Sequence, residues 1–224
     1  MLKLEKHESV FVLRMTSGEN RFNAMFCDAL ERALDEVEKS EGPAALVTVG
    51  EGKFYSNGLD LEWMAKVGAD ETKRCVGHVH RLLGRLVTFP VITVAAMNGH
   101  AFAAGAMWAL AHDFRVMRND RGFFCLPEVD IQIPFTPPMA ALIQAKLSKL
   151  AAHESMTTGK RYTAEEAVAR SIVHAAAPEA DVLHSAQEIA RANAGKPRAT
   201  LGAIKRTMYA DVLGTIAREK AENA

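Results

Sequence analysis

Residues 91–115 constrain the fold most strongly, because they predict a buried strand, a turn of small residues and an apolar helix. The strand begins with four β-branched residues at 91–94, the composition expected where both faces of a strand are covered. The turn contains Ala103, Ala104 and Gly105, whose small side chains let a ligand approach the backbone. A helix beginning near Ala104 points unpaired N–H groups into that turn. The stretch predicts either a backbone anion site or a tightly packed turn without a ligand.

Two further strands and a helix precede this stretch and set the fold class. Residues 9–15 and 44–49 are strand-like, and residues 23–39 keep apolar side chains at helical spacing. Strand, helix and strand form a βαβ unit, which implies a parallel sheet and an α/β protein. Later strands are predicted at 114–117, 123–126 and 171–174, and helices at 71–88, 139–150, 152–156, 179–194 and 199–220, with a capping box at 163–166.

A second loop has the same plan as the first. Residues 50–61 are rich in Gly and Asn, follow a buried strand and lead into a helix that opens at Glu62 and Trp63. Asp60 is placed to cap that helix, because an Asp side chain accepts hydrogen bonds from the first turn. The chain therefore offers two helix N-termini that follow loops of small residues.

Glu128 lies in a loop in which its neighbours are mostly apolar. These neighbours are Leu126, Pro127, Val129, Ile131 and Ile133. A carboxylate in such company is desolvated, which raises its pKa and suits it to proton transfer. A surface loop that also contains Asp130 explains the same residues, so the sequence leaves both interpretations open.

Composition argues against several classes of partner. Lys plus Arg and Asp plus Glu both number 27, so the formal net charge is zero and neither nucleic acid nor membrane is indicated as a partner. We find no signal or transit peptide, no C-terminal peroxisomal address and no apolar stretch that would span a bilayer, so we expect a cytoplasmic protein. His78 and His80 face different sides of their helix, and no metal site is expected.

The length of 224 residues favours one domain, residues 1–224, with a small appendage. The appendage is a helical tail, and an apolar stripe along it must be buried. The tail therefore packs either on the core of its own chain or against a second subunit. The stripe includes Leu201, Ile204, Met208, Val212 and Ile216.

Three loops together resemble those of the enoyl-CoA hydratase/isomerase, or crotonase, superfamily: residues 56–61, 98–105 and 127–128. The resemblance runs from about residue 9 to about residue 210 and includes residues 20–24 and 111–113. It implies a spiral of ββα units over about residues 1–190 and a helical C-terminal segment over about 191–224. It also implies an acyl-CoA thioester substrate, no separate cofactor because coenzyme A is part of the substrate, and a homotrimer or dimer of trimers.

The resemblance also implies roles for individual residues. The backbone N–H groups of Leu59 and Ala104 would form an oxyanion hole, and Glu128 would be the catalytic base. Asn57 would face the adenine side of the cleft, and Arg21 would meet the phosphates of CoA. The full set of substrate-binding positions is Arg21, Asn57, Gly58, Asp60, Gly105 and Pro127, and the acyl-pocket positions are Trp63, Phe102, Met107, Trp108 and Phe135.

One departure from the family pattern separates two reactions. Hydratases of the family place a first Glu where this chain has Met107, and a thioether cannot move a proton. Hydration needs a pair of carboxylates, whereas one base can shift a double bond. The chain is therefore most similar to the peroxisomal-type Δ3,Δ2-enoyl-CoA isomerase branch, which implies work in fatty acid β-oxidation. Three alternatives stay open: a weak hydratase, another CoA lyase or hydrolase that uses Glu128 or Asp130, and an inactive acyl-CoA-binding protein.

Overall fold

The computed structural model describes residues 2–222, and its nine strands and ten helices alternate along that part of the chain. In chain order they are β1 (Leu2–His7), β2 (Val10–Met15), α1 (Ala24–Lys39), β3 (Ala45–Gly50), β4 (Phe54–Ser56), α2 (Leu61–Val67), α3 (Ala69–Val87), β5 (Ile92–Met97), β6 (His100–Phe102), α4 (Ala104–Ala111), β7 (Phe114–Arg118), β8 (Phe124–Cys125), α5 (Pro137–Lys146), α6 (Lys149–Thr158), α7 (Ala164–Ala169), β9 (Ala175–Ala177), α8 (Glu179–Asn193), α9 (Arg198–Met208) and α10 (Ala210–Glu222).

Two sheets organise the described residues. The larger one has the order β1-β2-β3-β5-β7-β9, and the smaller one has the order β4-β6-β8. Three consecutive strand pairs, β3 with β4, β5 with β6 and β7 with β8, each give one strand to either sheet before a helix follows. This repetition is the predicted spiral of ββα units. It brings the segments that follow β4, β6 and β8 to one side of the molecule.

Alternation along the strands explains how the large sheet is buried. Val47 of β3 lies beside Val94 of β5, and both face the layer formed by α8. Leu46 and Ala95 point to the opposite face, into the core beneath α1, α3 and α4. Side chains two residues apart share one face of a strand, so strands apolar at every position must be covered on both sides. The predicted parallel sheet is confirmed for β2, β3, β5, β7 and β9, and β1 adds an antiparallel strand at one edge.

The helical tail packs on the core of its own chain. Lys205 in α9 is buried, and its ammonium group donates hydrogen bonds to the carbonyls of Phe89 and Val91 and to Asp113. In α10, Val212 is buried, and the carboxylate of Glu219 pairs with the fully buried His80 of α3. Of the apolar stripe, Val212 is buried on the core of its own chain and Leu201 and Ile216 are partly buried, whereas Ile204 and Met208 are exposed. Packing of these two residues against a second subunit stays a prediction.

One predicted strand is wrong, and the structure has three strands that the sequence analysis does not predict: β1, β4 and β6. Residues 171–174 form a turn, in which the N–H groups of Ile172 and Val173 bond to the carbonyl of Ala167 at the end of α7. Ile172 and Val173 belong to the turn that ends α7, so the strand begins only at Ala175. β1 alternates apolar and charged residues only at its start, because Leu2 and Leu4 are followed by three polar residues, so its strand signal is short. β4 and β6 have only three residues each, too few to show a period.

A membrane-crossing helix requires a long apolar run. None of the helices within residues 2–222 combines sufficient length with sufficient hydropathy to cross a bilayer.

Candidate active site

A cavity of about 410 Å³ lies where the segments after β4, β6 and β8 meet. Three of the positions assigned a central role, Leu59, Ala104 and Glu128, line this same cavity although they are far apart in sequence. The walls are largely apolar. The remaining lining residues are Arg21, Asn57, Leu61, Glu62, Phe102, Ala103, Cys125, Pro127, Ile131, Ile133, Pro134, Met139 and Arg161.

The N–H group of Leu59 is free because its neighbours hold the loop in place. Phe22 donates to the carbonyl of Gly58 at 2.8 Å and accepts from the N–H of Asp60 at 3.0 Å. The intervening residue then turns its N–H group away from Phe22, as in any parallel pairing. Within residues 2–222 this N–H group has no hydrogen-bond partner. It is therefore available to a ligand in the cavity.

A second free N–H group belongs to Ala104, the first residue of α4. The first hydrogen bond of this helix runs from Met107 N to Ala103 O, so the N–H groups before Met107 have no intrahelical acceptor. All eight residues of α4 are buried, and Ala104 at its N-terminus lines the cavity. The helix dipole adds a partial positive charge at the same point. Ala104 thus presents a donor suited to a developing negative charge.

Two glycines let the donor segments approach each other. Gly58 has φ +85°, and a Cβ atom there would lie 2.9 Å from the Cβ of Ala103 and 3.3 Å from the N of Ala104. At Gly105, a Cβ atom would lie within 2.4 Å of the carbonyl oxygen of Ser56. A side chain at either position would push the two loops apart. Both glycines therefore act by setting the spacing of the N–H donors.

Glu128 places a carboxyl group in the same cavity, and one of its two oxygens has no polar partner among the described residues. Its side chain is buried, with the residue 6% exposed, and within residues 2–222 its Oε2 atom has no hydrogen-bond partner. The turn that follows β8 holds it, with N–H groups of Asp130 and Ile133 bonded to the carbonyls of Pro127 and Glu128. Burial raises the pKa of Glu128 to about 7. The group can therefore both take up and release a proton near neutral pH.

A buried carboxyl group and two free N–H groups that line one cavity are an arrangement for removing a proton beside a carbonyl and holding the resulting oxyanion. A model of the enoyl-CoA hydratase/isomerase family matches residues 5–223. The chain belongs to the enoyl-CoA hydratase/isomerase family.

Relatives in this family carry both isomerase and hydratase names. Enoyl-CoA delta isomerase 3 of Arabidopsis thaliana is 41% identical over 186 residues, which cover 79% of this chain and 77% of the relative. A putative enoyl-CoA hydratase of Thermus thermophilus is 34% identical over 195 residues, covering 85% and 76%. A solved enoyl-CoA isomerase of Mycobacterium tuberculosis is similar with a TM-score of 0.89 at 26% identity, over 97% of this chain and 95% of that one.

Arg21 is the positively charged residue at one end of the cavity, and it already has carboxylate partners. Arg21 pairs with Glu19 at 2.6 Å and with Glu62 at 2.9 Å, so its cation is shared between two carboxylates. Asn57 donates to the same Glu19 at 2.7 Å. Asp60 caps α2 by accepting from Trp63 N at 3.1 Å and does not line the cavity. A phosphate reaching Arg21 would have to compete with both carboxylates.

Four of the five acyl-pocket positions lie outside the lining of this cavity, and their contact with an acyl chain stays a prediction. Met107 and Trp108 are completely buried within the core of α4, and Trp63 and Phe135 are half-buried against the same core. Helical spacing turns Met107 and Trp108 inward, so a substrate would reach them only after the core repacked. Phe102 lines the cavity as expected. Pro127 also lines it, whereas Gly58 and Gly105 lie behind the lining.

Sequence reasoning missed several lining residues. Ile131 and Ile133 alternate along a loop and are exposed apolar residues, a pattern that marks a ligand-contacting surface. Cys125, Met139 and Arg161 gave no comparable signal, because they reach the cavity from β8, α5 and the segment after α6. Only the tertiary fold brings these three together.

Ala103 holds the strained position in the oxyanion loop and gives a stability prediction. Its φ of +50° and ψ of −125° place a non-glycine residue in a conformation that costs about 1–3 kcal/mol. We expect Ala103→Gly to raise the free energy of unfolding by about 1 kcal/mol, because relief of strain exceeds the added entropy of the unfolded chain. Urea denaturation measures this change.

Ala106→Gly is the matched control for that substitution. Ala106 lies in the first turn of the same helix and has no positive φ, so glycine there lowers stability by about 1 kcal/mol. Equal destabilisation by both substitutions would show that Ala103 is not strained.

Proposed function

We propose that this protein is a Δ3,Δ2-enoyl-CoA isomerase, which converts a 3-enoyl-CoA to trans-2-enoyl-CoA. The carrying observation is that Glu128 is the buried, unpaired carboxylate of the cavity. Among the described lining residues the other carboxylate is Glu62, whose side chain is 75% exposed and paired with Arg21. A single base of this kind suits a reaction in which one proton is removed from one carbon atom and added to another.

In the proposed mechanism, the carboxylate of Glu128 removes a proton from C2 of the thioester. The electron pair of that C–H bond moves toward the carbonyl and gives a dienolate, whose oxygen accepts hydrogen bonds from the N–H groups of Leu59 and Ala104. Protonated Glu128 then returns the proton to C4, the double bond forms between C2 and C3, and the carbonyl is restored. No electrons are gained or lost, so the reaction needs no redox cofactor.

Hydration is the second candidate, and hydratase names among the relatives favour it. Adding water requires one group to activate the water and another to deliver a proton. Met107 fills the position that the resemblance assigns to the first hydratase Glu, and it is buried in the core. Asp130, the other nearby acid, is exposed and lies outside the lining. These positions support isomerisation over hydration.

Two substrates separate the candidates. Purified protein is incubated with a 3-enoyl-CoA and, separately, with trans-2-enoyl-CoA, and the thioesters are analysed by liquid chromatography and mass spectrometry. We expect the first to become trans-2-enoyl-CoA and the second to gain no water. Formation of 3-hydroxyacyl-CoA at a comparable rate would favour the hydratase, and binding of CoA thioesters without any reaction would favour an inactive binding protein.

The setting of the reaction is proposed on the same basis. We place it in fatty acid β-oxidation, with a cytoplasmic protein and coenzyme A present only as part of the substrate. A homotrimer or a dimer of trimers is the proposed assembly. Size-exclusion chromatography with light scattering measures that state.

A further inference from the structure

Arg161 extends into the cavity from a segment that is firmly attached to the small sheet. Phe124 in β8 donates to the carbonyl of Tyr162 at 3.0 Å, and Tyr162 donates back to Phe124 at 2.9 Å. The side chain of Tyr162 is fully buried and bonds to Ser155 and Glu154. This pairing fixes the backbone of Arg161 beside β8, two strands away from the loop of Leu59.

The guanidinium of Arg161 has an aromatic ring and a thiol as neighbours, and no carboxylate pairs with it among the described residues. It lies 5.8 Å from the centre of the Phe102 ring, and it shares the cavity wall with Cys125, whose thiol bonds to the carbonyl of Gly159. Within residues 2–222 it forms no ion pair, although its neighbour Lys160 and the more distant Arg170 both pair with Glu154. Arg21, the other cation of the cavity, is already shared by two carboxylates. Arg161 therefore brings an uncompensated positive charge and free N–H donors to the cavity wall.

We infer that Arg161 recognises a carboxylate at the far end of the acyl chain, so that the preferred substrates are CoA thioesters of dicarboxylic acids. This inference rests on the proposed function, because it takes the acyl chain of a CoA thioester as the occupant of the cavity. A guanidinium presents its donors as a planar fork that matches a carboxylate with two parallel hydrogen bonds. Ile131, Ile133 and Met139 supply apolar walls for the intervening carbons.

The positions of the two cations favour this carboxylate over the phosphates of CoA. Arg21, the residue expected to meet the phosphates, lies at the end of the cavity formed by the loop after β4, where it pairs with Glu62. Arg161 lies beside β8, at the other edge of the small sheet. An acyl chain that extends from the thioester away from Arg21 would therefore run toward Arg161.

Binding of two matched, unreactive thioesters tests the inference. We compare a saturated acyl-CoA with a terminal methyl group and one of equal length with a terminal carboxylate by isothermal titration calorimetry. We expect the native protein to bind the carboxylate-ended thioester about 10-fold more tightly, since a charged hydrogen bond to an exposed group contributes at the lower end of its range. Arg161→Met should remove this preference, and Arg161→Lys should retain part of it.

Lys160→Met is the matched control, because it removes the adjacent positive charge, which is paired with Glu166 at 3.2 Å outside the cavity. It should leave the 10-fold preference intact. Equal affinity of the native protein for both thioesters, or an equal loss for both in Arg161→Met, would overturn the inference. The calorimetry needs no turnover. If the protein isomerises neither corresponding 3-enoyl-CoA yet shows the Arg161-dependent preference, the proposed reaction fails and the inference stands.

Discussion

Glu128→Gln is expected to lower kcat/KM for a 3-enoyl-CoA by about 10²–10⁴-fold, the usual contribution of a general base. The amide has nearly the same shape and fits the same apolar pocket, but it cannot accept a proton from C2. No other buried carboxylate lines the cavity within residues 2–222, so no neighbour can replace it. Steady-state kinetics with one 3-enoyl-CoA measure the effect.

The melting temperature of Glu128→Gln and the activity of a matched variant, Asp130→Asn, show whether a loss of activity comes from the missing base or from unfolding. Glu128→Gln removes an unpaired acid from an apolar site, so its melting temperature should equal or exceed that of the native protein. Asp130→Asn changes an exposed carboxylate two residues away and should leave kcat/KM within about twofold. The assignment of the base is refuted if Glu128→Gln keeps full activity or if Asp130→Asn loses as much.

Replacing the amide of Ala104 by an ester should lower kcat by about 10²–10³-fold, the cost of losing one oxyanion donor. Incorporation of lactic acid at this position deletes the N–H group and keeps the methyl side chain. Ala104 is the first residue of α4, where the N–H group has no intrahelical acceptor, so the helix loses no hydrogen bond. The loss should appear in kcat more than in the affinity for substrate, because the charge on oxygen develops in the transition state.

The same ester at Ala106 is the control. Ala106 has the same side chain and lies in the same first turn, but it does not line the cavity. Its ester should change kcat by less than about threefold while lowering stability by a similar small amount. If both esters reduce kcat equally, the effect belongs to the helix and the donor role of Ala104 is wrong.

The parts of this account that follow from the sequence are those with a local signal. The apolar strands predict the parallel sheet, helical periodicity predicts most helices, and Asp60 predicts the start of α2, because each of these features depends on neighbours along the chain. Glu128 could be singled out because its apolar neighbours are adjacent in sequence. The resemblance then joined three distant loops into one site.

Other features depend on which way a side chain turns in the folded protein. Met107 and Trp108 were assigned to the acyl pocket, yet α4 is apolar on every face, so its sequence carries no indication of which side meets the cavity. Arg161 follows α6 and reaches the site only because Tyr162 pairs with Phe124. The neutralisation of Arg21 by Glu62 likewise joins residues 41 positions apart.

The dependence of kcat/KM on pH tests the central claim most directly, because it reports the ionisation of the base in the free enzyme. Burial raises the pKa of Glu128 to about 7, and only the ionised form accepts a proton. We predict that kcat/KM for a 3-enoyl-CoA rises about tenfold per unit below pH 7 and levels off above it. A profile that is flat between about pH 5 and 8, or that falls as pH rises through 7, would contradict the assignment of Glu128 as the base.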